Sequence, residues 1–273
     1  MSKSKEPVLL STAGTYKPAY SPSDPWTGPR IGYFNGTKQT IYTALDFYNL
    51  FSTPQLSTTS FFAHKDSDPD ALNEEKWHKE HANPGKQHFN DTVHPLKHLV
   101  SFVIIFDNAH PAWEDDNEIW VHSKVDIFLK DYRGPKKNFG RPIPVFKAGR
   151  SKFGKFIFEG WMTMEIAEIV EPGSDELKRM LQAKQDFKSY KPTGRTSEAW
   201  KESLSFRWLK IKFTPTATDY RSPAKMRKGE AAKYALKIGG LAKELDIFEK
   251  IEIANVKEEE AESDFEAEES DSA

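Results

Sequence analysis

Between Arg133 and Lys155 the chain reads RGPKKNFGRPIPVFKAGRSKFGK, and eight cations, Arg133, Lys136, Lys137, Arg141, Lys147, Arg150, Lys152 and Lys155, meet no acid. Phe139, Phe146, Phe153 and Phe156 are interleaved with them, and four glycines let a backbone come close to a ligand. Cations neutralise phosphate and release its counterions, while aromatic rings stack on bases, so this composition is that of a polyanion-binding hairpin. Against it stands a plainer reading, a solvated loop whose phenylalanines anchor it to a core. Trp120, Trp161 and Trp208 all fall in strand-like stretches, where a tryptophan usually packs. A ring exposed beside a glycine can instead take a stacked base, and Trp161, which follows Gly160, is the one placed next to the basic segment for specificity.

Metal chemistry has two candidate sources. Six of the eight histidines lie between His64 and His98, and His78 and His81, three residues apart, can share one side of a helix and hold a divalent metal ion. A third ligand would have to come from His64, His88, His94, His98 or a carboxylate, and no HExxH spacing is present. Alternatively Asp126, Asp131, Glu159 and Glu165, with Lys124 or Lys130, supply the acids and lysine of a magnesium-dependent nuclease centre. They are equally the outward residues of amphipathic strands. Asp66, Asp68 and Asp70 open like a calcium loop, but Ala71 replaces its glycine and Trp77 its closing glutamate, which excludes that site.

The chain around these residues has 273 positions and no cysteine, which excludes disulfides, thiolate zinc, iron–sulfur clusters and cysteine nucleophiles. Nucleophile elbows, Walker loops, dinucleotide fingerprints and kinase motifs are absent. No apolar run reaches the ~18 residues of a membrane span, and the start lacks the apolar stretch of a signal peptide, so the expectation is an intracellular protein of nucleus or cytoplasm with no membrane partner. Net charge is −2, but residues 257–273 hold nine acids and one base, leaving the rest at +6. That tail has no aliphatic residue larger than alanine and reads as disordered, a candidate contact for a basic protein partner. Residues 1–30, with five prolines, read as an extended arm that Tyr16, Tyr20 and Trp26 lay on a surface.

Residues 31–256 then form a single domain. Leu99–Phe106 is a near-continuous apolar run suited to a strand covered on both faces. Period-two patterns mark strands at 119–130, 143–146, 156–170, with Gly160 as a bulge, and 204–213. Helices are expected at 41–50, at 174–184 after the Ser174 cap, and over about 16 residues from Ser222-Pro223 to Gly239-Gly240, the last with a basic exposed side. Residues 247–253 alternate like an edge strand, and 64–98 read as a long His-rich excursion.

The segment GKFIFEGWMTMEIAEIVEPGS, Gly154 to Ser174, resembles the closing strand of small PUA-like barrels, the superfamily of the EVE- and SRA-type modified-base readers. The resemblance spans about twenty residues, a polar–aromatic strand with a glycine bend and an acidic-proline turn, and implies a barrel and a base-reading role. The residues themselves point to an α+β fold, a strongly bent antiparallel sheet or partly open β-barrel with peripheral helices. The expected function is a non-enzymatic binding module for nucleic acid or another polyanion, without a cofactor. A metal-dependent hydrolase or nuclease, and a protein–protein interaction domain recruiting through the acidic tail, are the alternatives.

Overall fold

The computed structural model describes residues 26–53, 57–62, 96, 98–106, 109–122, 125–133, 137–149, 154–188 and 196–250. The expected arm up to residue 25, most of the His-rich excursion with His78 and His81, and the acidic tail lie outside the described residues.

The chain enters through a hairpin, β1 (Arg30–Phe34) and β2 (Thr37–Ile41), whose two-residue turn is Asn35-Gly36. Both turn residues have positive φ, 49° and 83°, the conformation that matches the right-handed twist of a tight hairpin. Asn35-Gly36-Thr37 therefore acts as a turn signal. Thr43 and Asp46 form a reciprocal cap that starts α1 (Ala44–Phe51). The same Asp46 carboxylate accepts the indole N–H of Trp26 at 2.9 Å, which fastens the incoming chain to the helix.

Six further strands make one curled, partly open sheet, a half-barrel, in the order β3-β4-β6-β7-β8-β5. They are β3 (Thr59–Phe61), β4 (Val100–Ile105), β5 (Glu118–Val121), β6 (Ile143–Ala148), β7 (Phe156–Val170) and β8 (Trp208–Pro215). The sheet is antiparallel except at β4 and β6, which run parallel. β4 lies inside the sheet and all six of its residues are buried, as an apolar run without alternation requires.

Both faces of the sheet are covered. On one, Phe102, Ile104, Phe146, Phe156 and Trp161 pack against α1 and α6 (Glu230–Ile238). On the other, Val103, Val145, Met162, Met164, Ile211 and Phe213 pack against α3 (Val125–Arg133) through Val125, Phe128 and Leu129. The bulge in β7 makes this arrangement possible. Val145 pairs with Gly160 and Phe146 with Phe158, so Glu159 is the extra residue and Trp161 returns to the face of Phe156 and Phe158. Gly160 has φ 146°, and a Cβ there would meet nothing within 4 Å, so the backbone conformation, not space, demands glycine.

Four expectations are corrected. Residues 125–133 are helix, not the continuation of a strand: Val125, Ile127 and Leu129 fit alternation, but Val125, Phe128 and Leu129, at spacings of three and four, make the helical stripe that is buried. Residues 197–203 form α5 (Ser197–Ser203), so β8 begins only at Trp208. The segment after Ser222 breaks into a 3-10 turn, Pro223–Lys225, and then α6, with Gly229 at φ 71° between them. Residues 242–250 are helical, not an edge strand. A short α2 (Trp113–Asp116) and the expected Ser174-capped helix, α4 (Asp175–Lys188), complete the fold. Among the described residues no helix is long and apolar enough to cross a membrane.

Tyr42 gives this core a pH signature. Its ring is fully buried, its hydroxyl faces Ser222 and Ala224 without a well-formed hydrogen bond, and burial pushes its pKa up to about 12. The native state thus keeps a proton that the unfolded chain releases near 10, and stability falls as pH rises from about 10 until the loss levels off near 12, by about 2–3 kcal/mol. Urea unfolding at pH 9.5 and 11.5 should show this slope in the wild type and a shallower one in Tyr42→Phe. Equal slopes would assign the titration to another group.

Candidate functional site

The described cations of the basic segment are distributed among different tasks. Arg133 ends α3 and its side chain is not described; Lys136, Arg150, Lys152 and Phe153 lie outside the described residues. Lys137 pairs with Glu244 on the 242–250 helix. Burial opposes ionisation of Glu244, but the Lys137 hydrogen bond and charge outweigh it and hold the carboxyl below its ordinary range. Lys147 pairs with Glu114 of α2. Arg141 is 4 % exposed and donates to the carbonyls of Lys137 and Val100 and to Asn138 Oδ1. Lys155 is exposed. Phe139 is half-buried against Phe128, and Phe146 and Phe156 are core. The segment's acids are supplied from far along the chain.

The carboxylates of the proposed magnesium centre are likewise separate. Asp126 is on α3, Glu165 sits opposite Lys212 in the β7–β8 ladder, and Glu159 occupies the bulge near Lys147. Partial desolvation raises the Glu159 pKa, Lys147 opposes this and Glu114 adds to it. Among the described residues no three His, Asp or Glu come together to hold a metal ion. A cavity of about 320 Å³ between Phe139-Gly140 and the β7–β8 strands collects only Glu165 as a charged group.

Trp161 is buried at 5 % exposure, and its role is to hold something else. Its indole N–H donates to the Arg221 carbonyl at 3.1 Å, while the Arg221 N–H donates to the Tyr234 hydroxyl at 3.2 Å. Arg221 is thereby fixed at the start of a second basic stretch. From Arg221 to Lys243 there are seven cations, Arg221, Lys225, Arg227, Lys228, Lys233, Lys237 and Lys243, against one acid, Glu230. All but Lys233 are exposed.

Local structure explains why they are. Pro223, Met226, Ala231, Ala232, Ala235 and Leu236 take the inward positions of the 3-10 turn and α6, which leaves the intervening cations outside. Arg221, Lys225, Arg227 and Glu230 line an open cavity of about 450 Å³. Glu230 does not neutralise it alone. The Arg227 N–H and the Arg221 guanidinium both bind its carboxylate and hold its pKa below the ordinary range, so Lys225 and the Arg227 guanidinium remain beside the cavity.

In sequence this stretch shows as a helix with a basic exposed side; its seven cations to one acid in 23 residues are a signal nearly as strong as the eight to none of residues 133–155. No protein-family model, curated protein or solved structure matches the chain.

Proposed function

We propose that the protein is a binding module for nucleic acid or a related polyanion, and that its phosphate contacts lie on the Arg221–Lys237 surface in place of the 133–155 segment. The observation that supports this is the exposed, nearly acid-free band that begins at the anchored Arg221 and borders the 450 Å³ cavity. Fixed positive charge on a surface attracts a polyanion by counterion release without any sequence code, and such contacts position a ligand more than they read it.

Binding should weaken steeply with salt, the logarithm of affinity falling by about 0.7–0.9 per phosphate neutralised for each unit of log salt. The triple variant Lys225→Gln, Arg227→Gln, Lys228→Gln should lower affinity at least about tenfold and reduce that slope by about 2–3. Lys137→Gln removes the contact to Glu244, away from the proposed surface, and should leave affinity unchanged. Salt-independent binding, or a triple variant that binds like wild type, would remove the reading.

A further inference from the structure

The cationic band is bordered by aromatic rings. Trp161 lies edge-on to Tyr234 at 5.6 Å between centroids, to Tyr220 at 6.2 Å and to Phe158 at 6.2 Å. The tryptophan is buried, whereas Tyr220, Tyr234 and Phe158 are each half-buried and keep part of their surface in solvent. Tyr220 directly precedes Arg221, and Tyr234 is one helical turn beyond Glu230, so rings and cavity-lining charges share one frame. The frame is held at several points: Thr216 donates through both its N–H and its hydroxyl to the Trp161 carbonyl, and Arg221 is held at both its N–H and its carbonyl.

Resting on the polyanion reading above, we propose that this surface selects single-stranded nucleic acid, with phosphates at Lys225 and Arg227 and a base stacked on Tyr220. A polyanion without bases uses only the cations. A duplex presents phosphates but hides its base faces, and so gains nothing from a half-exposed tyrosine. A single strand satisfies both features, because every base has a π face and stacking does not require a matched hydrogen-bond pattern. The cavity, at about 450 Å³, is the size of a site for one small unit of a ligand, not of a groove that lies along a helix. Of the two tyrosines, Tyr220 adjoins the cavity-lining Arg221 in the chain, whereas the Tyr234 hydroxyl is already tied to the Arg221 N–H and holds that ring to the frame, so Tyr220 is assigned as the stacking ring.

The test is fluorescence anisotropy with three probes, a labelled oligothymidylate, the corresponding duplex and labelled heparin, against the full chain, Tyr220→Ala, Tyr220→Phe and the Lys225→Gln, Arg227→Gln, Lys228→Gln variant. The oligothymidylate should bind at least tenfold more tightly than the duplex. Tyr220→Ala should lose about tenfold on the single strand and nothing on heparin, and Tyr220→Phe, which keeps the ring and guards against a folding defect, should bind like wild type. A duplex bound as well as the single strand, or equal losses on heparin and oligothymidylate in Tyr220→Ala, would overturn single-strand selection while leaving polyanion binding intact. Failure of all three probes to bind would overturn both readings.

Discussion

Arg141→Ala is expected to destabilise the protein by about 3–5 kcal/mol while leaving polyanion affinity per folded molecule unchanged. The guanidinium is almost fully buried and supplies donors to the Val100 and Lys137 carbonyls and to Asn138 Oδ1. Asn138 in turn accepts from the Val100 N–H and donates to the His98 carbonyl. Together the two side chains satisfy the backbone where β4 begins. Deleting one donor set leaves buried carbonyls unpaired at about 1–3 kcal/mol each, and the lost stem adds a packing defect. The space above is already tight, since a Cβ on Gly239 would come within 3.1 Å of the Arg141 Cδ. Arg141→Lys keeps the charge but not the planar fork and should recover only part of the loss. Urea unfolding measures this; a wild-type midpoint for Arg141→Ala would show that other groups hold the start of β4.

Phe47→Ala should cost a similar amount, about 3–5 kcal/mol, for a different reason. Its ring is fully buried, stacks on Phe102 at 4.7 Å and 16°, and meets Phe146 and Phe156 edge-on at 4.8 and 5.1 Å. One α1 side chain therefore contacts three strands, β4, β6 and β7. A void there has aromatic walls that collapse poorly. Because Phe47 and Phe102 share the stacked contact, the double variant Phe47→Ala, Phe102→Ala should be less destabilised than the sum of the single variants. Additive losses would show that the stacked pair has no energetic coupling.

The parts of this fold legible in the sequence are those whose pattern is local. β7 was delimited by alternation and its glycine, β4 by continuous apolar residues, and α4 by the Ser174 cap. The curled α+β architecture followed from the long bent strand. The helix at 125–133 is ambiguous in sequence because Val125, Ile127 and Leu129 alternate as in a strand while Val125, Phe128 and Leu129 fit a helical stripe, and burial of the second set decides between them. The basic segment could not be assessed locally. Its compensating acids, Glu114 and Glu244, are brought to it by tertiary structure, and nothing near Arg141 in sequence signals that its guanidinium would be enclosed. The expectation for Trp161 needs an exposed ring, whereas the ring is buried, donates to the Arg221 carbonyl sixty positions downstream and meets Tyr220 and Tyr234 edge-on, contacts that no local pattern signals.

The strand order has a consequence for biosynthesis. Among the described residues β5 pairs only with β8, where Glu118 faces Lys212, and β7 has its longest ladder with the same late strand. A nascent chain released from the ribosome before β8 therefore exposes two strands whose hydrogen-bonding groups await a partner not yet made. Non-local pairing of this kind is slow, in the range of milliseconds to seconds, and truncated products ending before Trp208 should be the ones that require chaperone protection.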